Sequence, residues 1–243
     1  MQRFPQKVES RFSTHLVALS EYKRRVMLQA LIFDFDGLIL DTETPEFHAW
    51  QEIYRLHGTE LALEDWLPCI GTGSVFDPHK HMETLIGRVL DRDEIAAARE
   101  ICNRELIARE TLRPGVLATL ETARGGGMRI GLASSSSRAW VEPHLHRLGI
   151  ASFFETLQTG DLVQKVKPHP ELYQRALAAL RISPDEAIAL EDSLNGLRAA
   201  RAAGIFTVVI PNAMTRHLDL AEADLLLDSM EELDLEAFPF QNR

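Results

Sequence analysis

The sequence predicts an α/β protein: a doubly wound parallel sheet with an all-α helical cap domain inserted after its first strand. Three observations carry that expectation. Short, nearly continuous apolar runs recur along the chain, as in strands buried on both faces. Helical patterns lie between them, and strict alternation of strand and helix implies parallel strands joined by right-handed crossovers. One stretch, 42–111, breaks the alternation and shows helical periodicity alone.

Taken in order, residues 1–26 read as an N-terminal extension. They carry Arg3, Lys7, Arg11, Lys23, Arg24 and Arg25 against Glu9 and Glu21. No apolar segment with a small-residue cleavage site accompanies them, so a frayed terminus is expected rather than a targeting arm. Met27, directly before the first strand, is a candidate alternative start. The run 28–33 (LQALIF) is that strand, and it ends in Asp34, Phe35, Asp36 and Gly37. Residues 27–42 and 113–243 are then the core, and 43–112 the helical block. Within the block Phe47, Trp50, Ile53, Tyr54 and Leu56 recur at helical spacing, as does the segment 95–107. Beyond Arg113, Pro114 and Gly115, apolar runs at 128–133, 154–157, 187–190 and 206–210 read as further strands, with 225–227 as a sixth. The intervening patterns at 115–124, 140–148, 170–180 and 193–203 read as helices closed by Gly127, Gly149, Ile182 and Gly204.

Composition narrows the function. The chain has 243 residues, 45% of them hydrophobic, enough for one large core with a smaller appended domain. Its formal net charge of -10 argues against nucleic-acid binding, which depends on lysine and arginine neutralising phosphates. Any anionic ligand must meet a local cation. No apolar stretch approaches the ~18 residues of a membrane span, so a soluble, cytoplasmic protein without a membrane partner is expected. Cys69 and Cys102 lack CxxC spacing and read as free thiols. Oligomeric state is not legible.

Ligands of open α/β sheets bind beyond the carboxyl ends of the strands, and every such end here is polar. Asp34 and Asp36 follow the first strand, Ser134 and Ser135 the second. Lys165 and Lys167 follow the third, and Glu191 and Asp192 end the fourth. Carboxylates converging on one crevice repel, about 4 kcal/mol for a pair 4 Å apart at an effective dielectric near 20. A hard divalent cation offsets this, and magnesium, which takes one or two carboxylates plus substrate phosphate, fits best. Asp34 and Asp192 are its expected side-chain ligands, the Asp36 carbonyl a third, and Glu191 a ligand or a neighbour that orients one. A carboxylate is a competent nucleophile toward phosphorus. Asp34 takes that role, with Asp36 as the acid and base that serves the leaving oxygen and then the attacking water. Ser134, the Ser135 backbone N–H and Lys167 are expected on the phosphoryl oxygens. Lys167 is preferred to Lys165 because Pro168 follows it directly.

The residues DFDGLILDT, LASSS, Lys167–Pro168 and LEDSLNGLRAARAAG, in that order, resemble the four motifs of the haloacid dehalogenase superfamily. The likeness is to its β-phosphoglucomutase and phosphoglycolate-phosphatase-like branch, and it spans 27–227. It implies Asp34 as nucleophile, Asp36 as acid and base, Ser134 and Lys167 on phosphate, and magnesium on Asp34, Asp36 and Asp192. Dehalogenase members lack the second aspartate of the first motif, so Asp36 favours phosphate chemistry. The mutases of the branch carry a histidine where Glu46 stands, and an arginine for a second phosphate where Gly71, Thr72, Gly73 and Ser74 stand. A phosphatase acting on a small phosphorylated metabolite, such as a sugar phosphate, is therefore expected ahead of a phosphomutase. A receiver-like phospho-switch ranks third, because receivers have no helical block over the site. Substrate contacts are expected from the block, with Glu46 and Thr72 as candidates. His79, Lys80 and His81 read as a solvated face, His144 and His146 as surface residues, and Arg138 as either solvated or touching substrate.

Overall fold

The computed structural model describes residues 28–67, 70 and 76–235. The extension 1–26, Cys69 and the loop residue Thr72 lie outside the described residues. Among those described, six strands form one sheet: β1 (Ala30–Phe33), β2 (Arg129–Ala133), β3 (Thr156–Gln158), β4 (Ala187–Glu191), β5 (Phe206–Val209) and β6 (Leu225–Leu226). Their order is β3-β2-β1-β4-β5-β6 and every pairing is parallel. The winding reverses between β1 and β4, which places the topological switch point there.

Four helices cover the sheet: α5 (Val116–Gly125), α6 (Arg138–Arg147), α7 (Glu171–Leu180) and α8 (Leu194–Ala202). Successive strand side chains point to opposite faces, and the two faces differ in size. Leu31, Phe33, Ile130, Leu132, Ile188 and Leu190 meet Val116, Leu120, Val141 and Leu145 on one side. Ala30, Ala133, Ala187 and Ala189 face the other, where the small methyls admit Leu172, Tyr173, Ala176 and Leu180 of α7 and Ala199 and Ala200 of α8. Each fully buried Leu, Ile or Phe contributes about 1.5–3 kcal/mol, so the strands owe their stability to two-sided burial.

Residues 43–109 hold α1 (Glu43–Leu56), α2 (Leu63–Trp66), α3 (Pro78–Ile86) and α4 (Arg92–Arg109), with no strand among the described residues. Asp77 and Asp91 cap α3 and α4, their carboxylates accepting backbone N–H groups of the first turn. Phe47, Trp50, Ile53 and Tyr54 form a separate core with Trp66, Met82 and Ile95, joined by Met214 from the loop after β5. Leu56 departs from the periodic reading: it is 70% exposed, because it ends the helix beyond the packed face. Phe154 likewise precedes β3 rather than opening it, and packs its ring edge-to-face on Phe33. The histidines of α3 also turn inward. His79 stands edge-on to Trp50 with centroids 4.9 Å apart, and His81 Nδ1 lies 3.1 Å from the Tyr54 hydroxyl. Half-buried Cys102 is a free thiol, and no helix among the described residues is long and apolar enough to cross a membrane.

The two connections to the helical block run side by side. Leu40 bridges Leu112 antiparallel, and the Arg113 N–H donates to the Ile39 carbonyl at 3.0 Å. Gly115 follows at φ +82, where an added Cβ would stand 2.4 Å from the Glu231 nitrogen. Gly115→Ala is expected to cost about 1–3 kcal/mol from backbone conformation alone, with the clash in addition. A urea midpoint unchanged from the parent protein would refute this account of the junction.

Candidate active site

The turn after β1 makes the site. Asp34 N–H donates to the Leu190 carbonyl at 2.9 Å, which locks the end of β1 beside the end of β4. The chain then bends through Gly37 at φ +80, and an added Cβ there would fall 2.2 Å from Asp192 Oδ2. Only glycine admits this approach between the first turn and the β4 terminus. Asp34, Glu191 and Asp192 are all buried, and each offers a carboxylate oxygen within 4.8 Å of the others.

One ammonium stands among these three carboxylates. Lys167, also buried, donates to Asp34 Oδ1 and to Glu191 Oε1, the latter at 2.6 Å. Glu191 is enclosed further by the Tyr173 hydroxyl on Oε1 and by the Asp192 N–H on Oε2 at 3.2 Å. A Cβ on Gly196 would overlap its carboxylate at 1.9 Å. Asp192 Oδ2 accepts from Asn212 Nδ2 at 2.8 Å, and the Asn212 amide also donates to the Gly37 carbonyl at 3.3 Å. Asp36 is clamped from the β2 side. Its Oδ1 accepts from Trp140 Nε1 at 2.9 Å, and its Oδ2 from the hydroxyls of Ser136 at 2.7 Å and Ser134 at 3.2 Å.

Asp34, Asp36, Ser135, Lys167 and Asp192 line one cavity of about 470 Å³ together with Glu46 from α1. Ser134 and Glu191 stand behind its wall, fully buried. The Ser134 hydroxyl is turned to Asp36 and accepts the Ser136 N–H at 3.0 Å. Glu46 takes Arg99 Nη1 on both oxygens, at 2.8 and 2.6 Å, and Trp50 Nε1 at 3.2 Å. Lys165 is exposed and does not line the cavity. Arg138 pairs with Glu142 in a separate depression of about 720 Å³ beside β3, which holds none of the strand-end carboxylates. His144 is half-buried against Trp140, with ring centroids 4.6 Å apart, whereas His146 is exposed.

Sequence reasoning missed Glu43, Ser136, Trp140, Tyr173 and Asn212. Asn212 was within reach, since it stands two residues past the polar-ended run 206–210. Trp140 and Tyr173 were not, because their polar tips are aimed by helix packing.

The electrostatics follow from burial. Desolvation pushes the Asp34 carboxyl up to about 8; Lys167 opposes it, while the charges of Glu191 and Asp36 add to it. Asp192 is raised well above the ordinary range, again by burial first and then by Asp34 and Glu191. Glu43 rises to about 7 through burial and the charges of Asp36, Glu46 and Asp41. Burial works against the Lys167 ammonium, yet Asp34 and Glu191 outweigh it and hold its proton more firmly than usual. When all three are ionised, the carboxylates against one lysine leave a surplus of negative charge. The donor set is all oxygen, as a hard divalent cation requires, so the residues present fit such an ion.

A model of the haloacid dehalogenase-like hydrolases matches residues 31–210. The chain belongs to this family. It is 46% identical over 209 residues to YhcW of Bacillus subtilis (strain 168), covering 86% of this chain and 95% of that one. Hexitol phosphatase B of Escherichia coli (strain K12) is 30% identical over 210 residues, covering 84% and 93%. Among solved structures, CbbY from Rhodobacter sphaeroides in complex with phosphate is 32% identical and superposes with a TM-score of 0.66 over 87% of this chain and 99% of that one. A substituted form of CbbY has been solved with xylulose-(1,5)bisphosphate, at TM-score 0.68 over the same shares.

A pH dependence follows from the raised carboxyls. Between about pH 4, where unfolded carboxyls ionise, and about 8, the folded state keeps protons that the unfolded state has released. Stability of the cation-free protein therefore falls as pH rises through that window. Chelator-treated protein is expected to melt lower at pH 8 than at pH 5. A divalent cation held by these carboxylates should raise the melting temperature more at pH 8, because ligands bind metal deprotonated, and Asp192→Asn should flatten the slope. A melting temperature that climbs from pH 5 to 8 without cation would contradict the assignment.

Proposed function

We propose that this chain is a magnesium-dependent phosphatase that hydrolyses a small phosphorylated metabolite through a covalent phosphoryl-Asp34 intermediate. The observation that carries the reading is the buried trio Asp34, Glu191 and Asp192 with Lys167 at their centre. The relatives add support: hexitol phosphatase B is a phosphatase by name, and CbbY has been solved with phosphate and with a sugar bisphosphate. Magnesium would be held by Asp34, Asp192 and the backbone of Asp36. When bound it would neutralise phosphate charge and so let an anionic substrate approach a carboxylate.

The protein groups divide the remaining work. Asp34 attacks phosphorus through a carboxylate oxygen, the ester P–O bond breaks, and Asp36 gives its proton to the departing oxygen. Asp36, now ionised, takes a proton from water as that water attacks phosphorus. The Asp34–phosphorus bond then breaks, releasing inorganic phosphate and restoring the enzyme. Lys167 and the backbone at Ser135 meet the phosphoryl oxygens, where preorganised donors stabilise developing charge. Glu191 is better suited to anchoring Lys167 than to holding a metal, because Lys167, Tyr173 and the Asp192 N–H already occupy its oxygens. Residues 43–112 act as a cap that closes over the site and keeps water from the intermediate. Its short paired connections near Leu40 and Leu112 suit a hinge. The phosphomutase alternative draws less support, since Glu46, bound to Arg99, occupies the cap position where the mutases have histidine.

Purified protein with magnesium is expected to hydrolyse para-nitrophenyl phosphate. Asp34→Asn should lose activity by at least about 10³-fold, and equal turnover by both proteins would remove Asp34 from the chemistry. Trp140 acts through Asp36 as a positioning residue. Trp140→Phe is expected to lower kcat about tenfold with KM nearly unchanged, less than the ~10²–10⁴-fold of losing an acid–base group outright, because Asp36 itself remains. A change confined to KM would contradict that role. Isomerisation of a hexose 1-phosphate stimulated by its bisphosphate would favour the mutase.

A further inference from the structure

The second connection of the cap re-enters the core at Arg113, whose half-buried side chain does not line the active-site cavity. Its guanidinium donates instead to three backbone carbonyls: those of Gly37, of Ile210 at 3.2 Å and of Pro211 at 3.0 Å. Its backbone N–H donates to the Ile39 carbonyl. Gly37 follows Asp36 directly, and Ile39 closes the same turn by donating its N–H to the Phe35 carbonyl at 2.9 Å. Ile210 and Pro211 lead from β5 into Asn212, whose Nδ2 reaches the same Gly37 carbonyl and Asp192 Oδ2. One arginine thus joins the turn after β1, the loop after β5 and the foot of the cap. There is little slack at this junction, since a Cβ on Gly37 would meet Asp192 Oδ2 at 2.2 Å and Asn212 Nδ2 at 2.7 Å. The two aspartates of the turn differ in their backbone support. Asp34 is locked to β4 by its own N–H on the Leu190 carbonyl, whereas the carbonyl of the residue after Asp36 is held from outside the turn by Arg113 and Asn212.

We infer that Arg113 is a positioning residue for Asp36: its guanidinium fixes the backbone of the site turn to the loop that carries Asn212, so that the proton carrier stands at the leaving oxygen. The inference rests on the phosphatase reading and adds to its machinery a residue that touches no substrate. Trp140, Ser136 and Ser134 aim the carboxylate of Asp36; Arg113 sets the main chain from which that carboxylate hangs. A guanidinium carries five donors in a fixed planar fork, which lets one side chain reach carbonyls of two segments at once. A lysine ammonium is a compact charge on a flexible stem and does not reproduce that spread. Burial works against the positive charge of Arg113, and Asp192 and Asp41 favour it. Hydrogen bonds from a charged donor are shorter and stronger than neutral ones, which suits the guanidinium to a brace. The brace matters because a catalytic group must be held within about 0.5 Å of its productive geometry.

The test compares kcat/KM for two aryl esters in the magnesium-loaded parent protein, Arg113→Lys and Arg113→Gln. Para-nitrophenyl phosphate releases a stabilised anion that needs little protonation. Phenyl phosphate releases a phenol, with a pKa of about 10, and so depends on the proton from Asp36. Arg113→Lys is expected to lower kcat/KM for phenyl phosphate by about 10²-fold, the order of loss for a ~1 Å misplacement. The loss for para-nitrophenyl phosphate should be about tenfold smaller, because the acid contributes less to its departure. Arg113→Gln, which keeps two donors without the charge, should show the same split. Incomplete folding lowers both values by one factor, so a loss of stability neither creates the split nor hides it. An equal loss for both esters, or no loss in either variant, would overturn the role of Arg113 while leaving a working phosphatase. No hydrolysis of either ester by the parent protein would overturn the phosphatase reading, and this inference with it.

Discussion

Buried negative charge at the switch point is the constraint from which the rest of this structure follows. Three carboxylates whose oxygens approach within 4.8 Å, with Lys167 among them, would be intolerable without donors or a cation, because desolvating one ion already costs several kcal/mol. The surrounding residues act as a cage against that cost. Tyr173 and the Asp192 N–H hold Glu191, and Asn212 holds Asp192. Gly37 and Gly196 stand where any side chain would strike a carboxylate. What the cage leaves uncompensated matches the charge of a divalent ion, so the unsatisfied part of the structure and the proposed chemistry are the same thing.

The two carboxylates of the first turn have opposite surroundings. Asp34 faces the buried charges and is pushed toward protonation in the absence of a cation. Asp36, two residues on, lies across the turn and is held by Trp140, Ser136 and Ser134. In the proposed chemistry the two would divide the work, Asp34 as nucleophile once a cation offsets the burial that raises its carboxyl, and Asp36 as proton carrier. Both lie past Phe33, the last residue of β1, and the partners each one meets, Lys167 for Asp34 and Trp140 for Asp36, separate them.

Core and cap carry different parts of the function. The sheet, buried on both faces, fixes the strand-end groups to each other rigidly enough for chemistry, as pre-organised sites require. The helical block has its own apolar core and meets the sheet domain through two short connections and through Met214. The cap side of the cavity, lined by Glu43, Glu46 and Asn103, is thus built on a different core from the strand-end groups across it.

Much of this was legible before any coordinates. The apolar runs marked the strands and their polar ends, because burial on both faces leaves near-continuous apolar runs and ligands of such sheets bind beyond the strand ends. Asp34, Asp36, Ser135 and Asp192 could thus be gathered from three distant segments by their strand-end positions, while Lys167, well beyond the end of β3, was picked out by the proline that follows it. Leu56 and Phe154 were misplaced because local periodicity does not know which neighbour is absent. Tertiary structure alone decided that Trp140 and Ser136 clamp Asp36, that Tyr173 and Lys167 share Glu191, that Arg99 answers Glu46, and that His79 and His81 turn onto aromatic rings. Those contacts join residues up to 104 positions apart, and their geometry depends on helix packing angles that no local pattern encodes. Sequence by itself determined which chemical groups reach the switch point; packing decided which of them are spent on one another and which remain to meet a substrate.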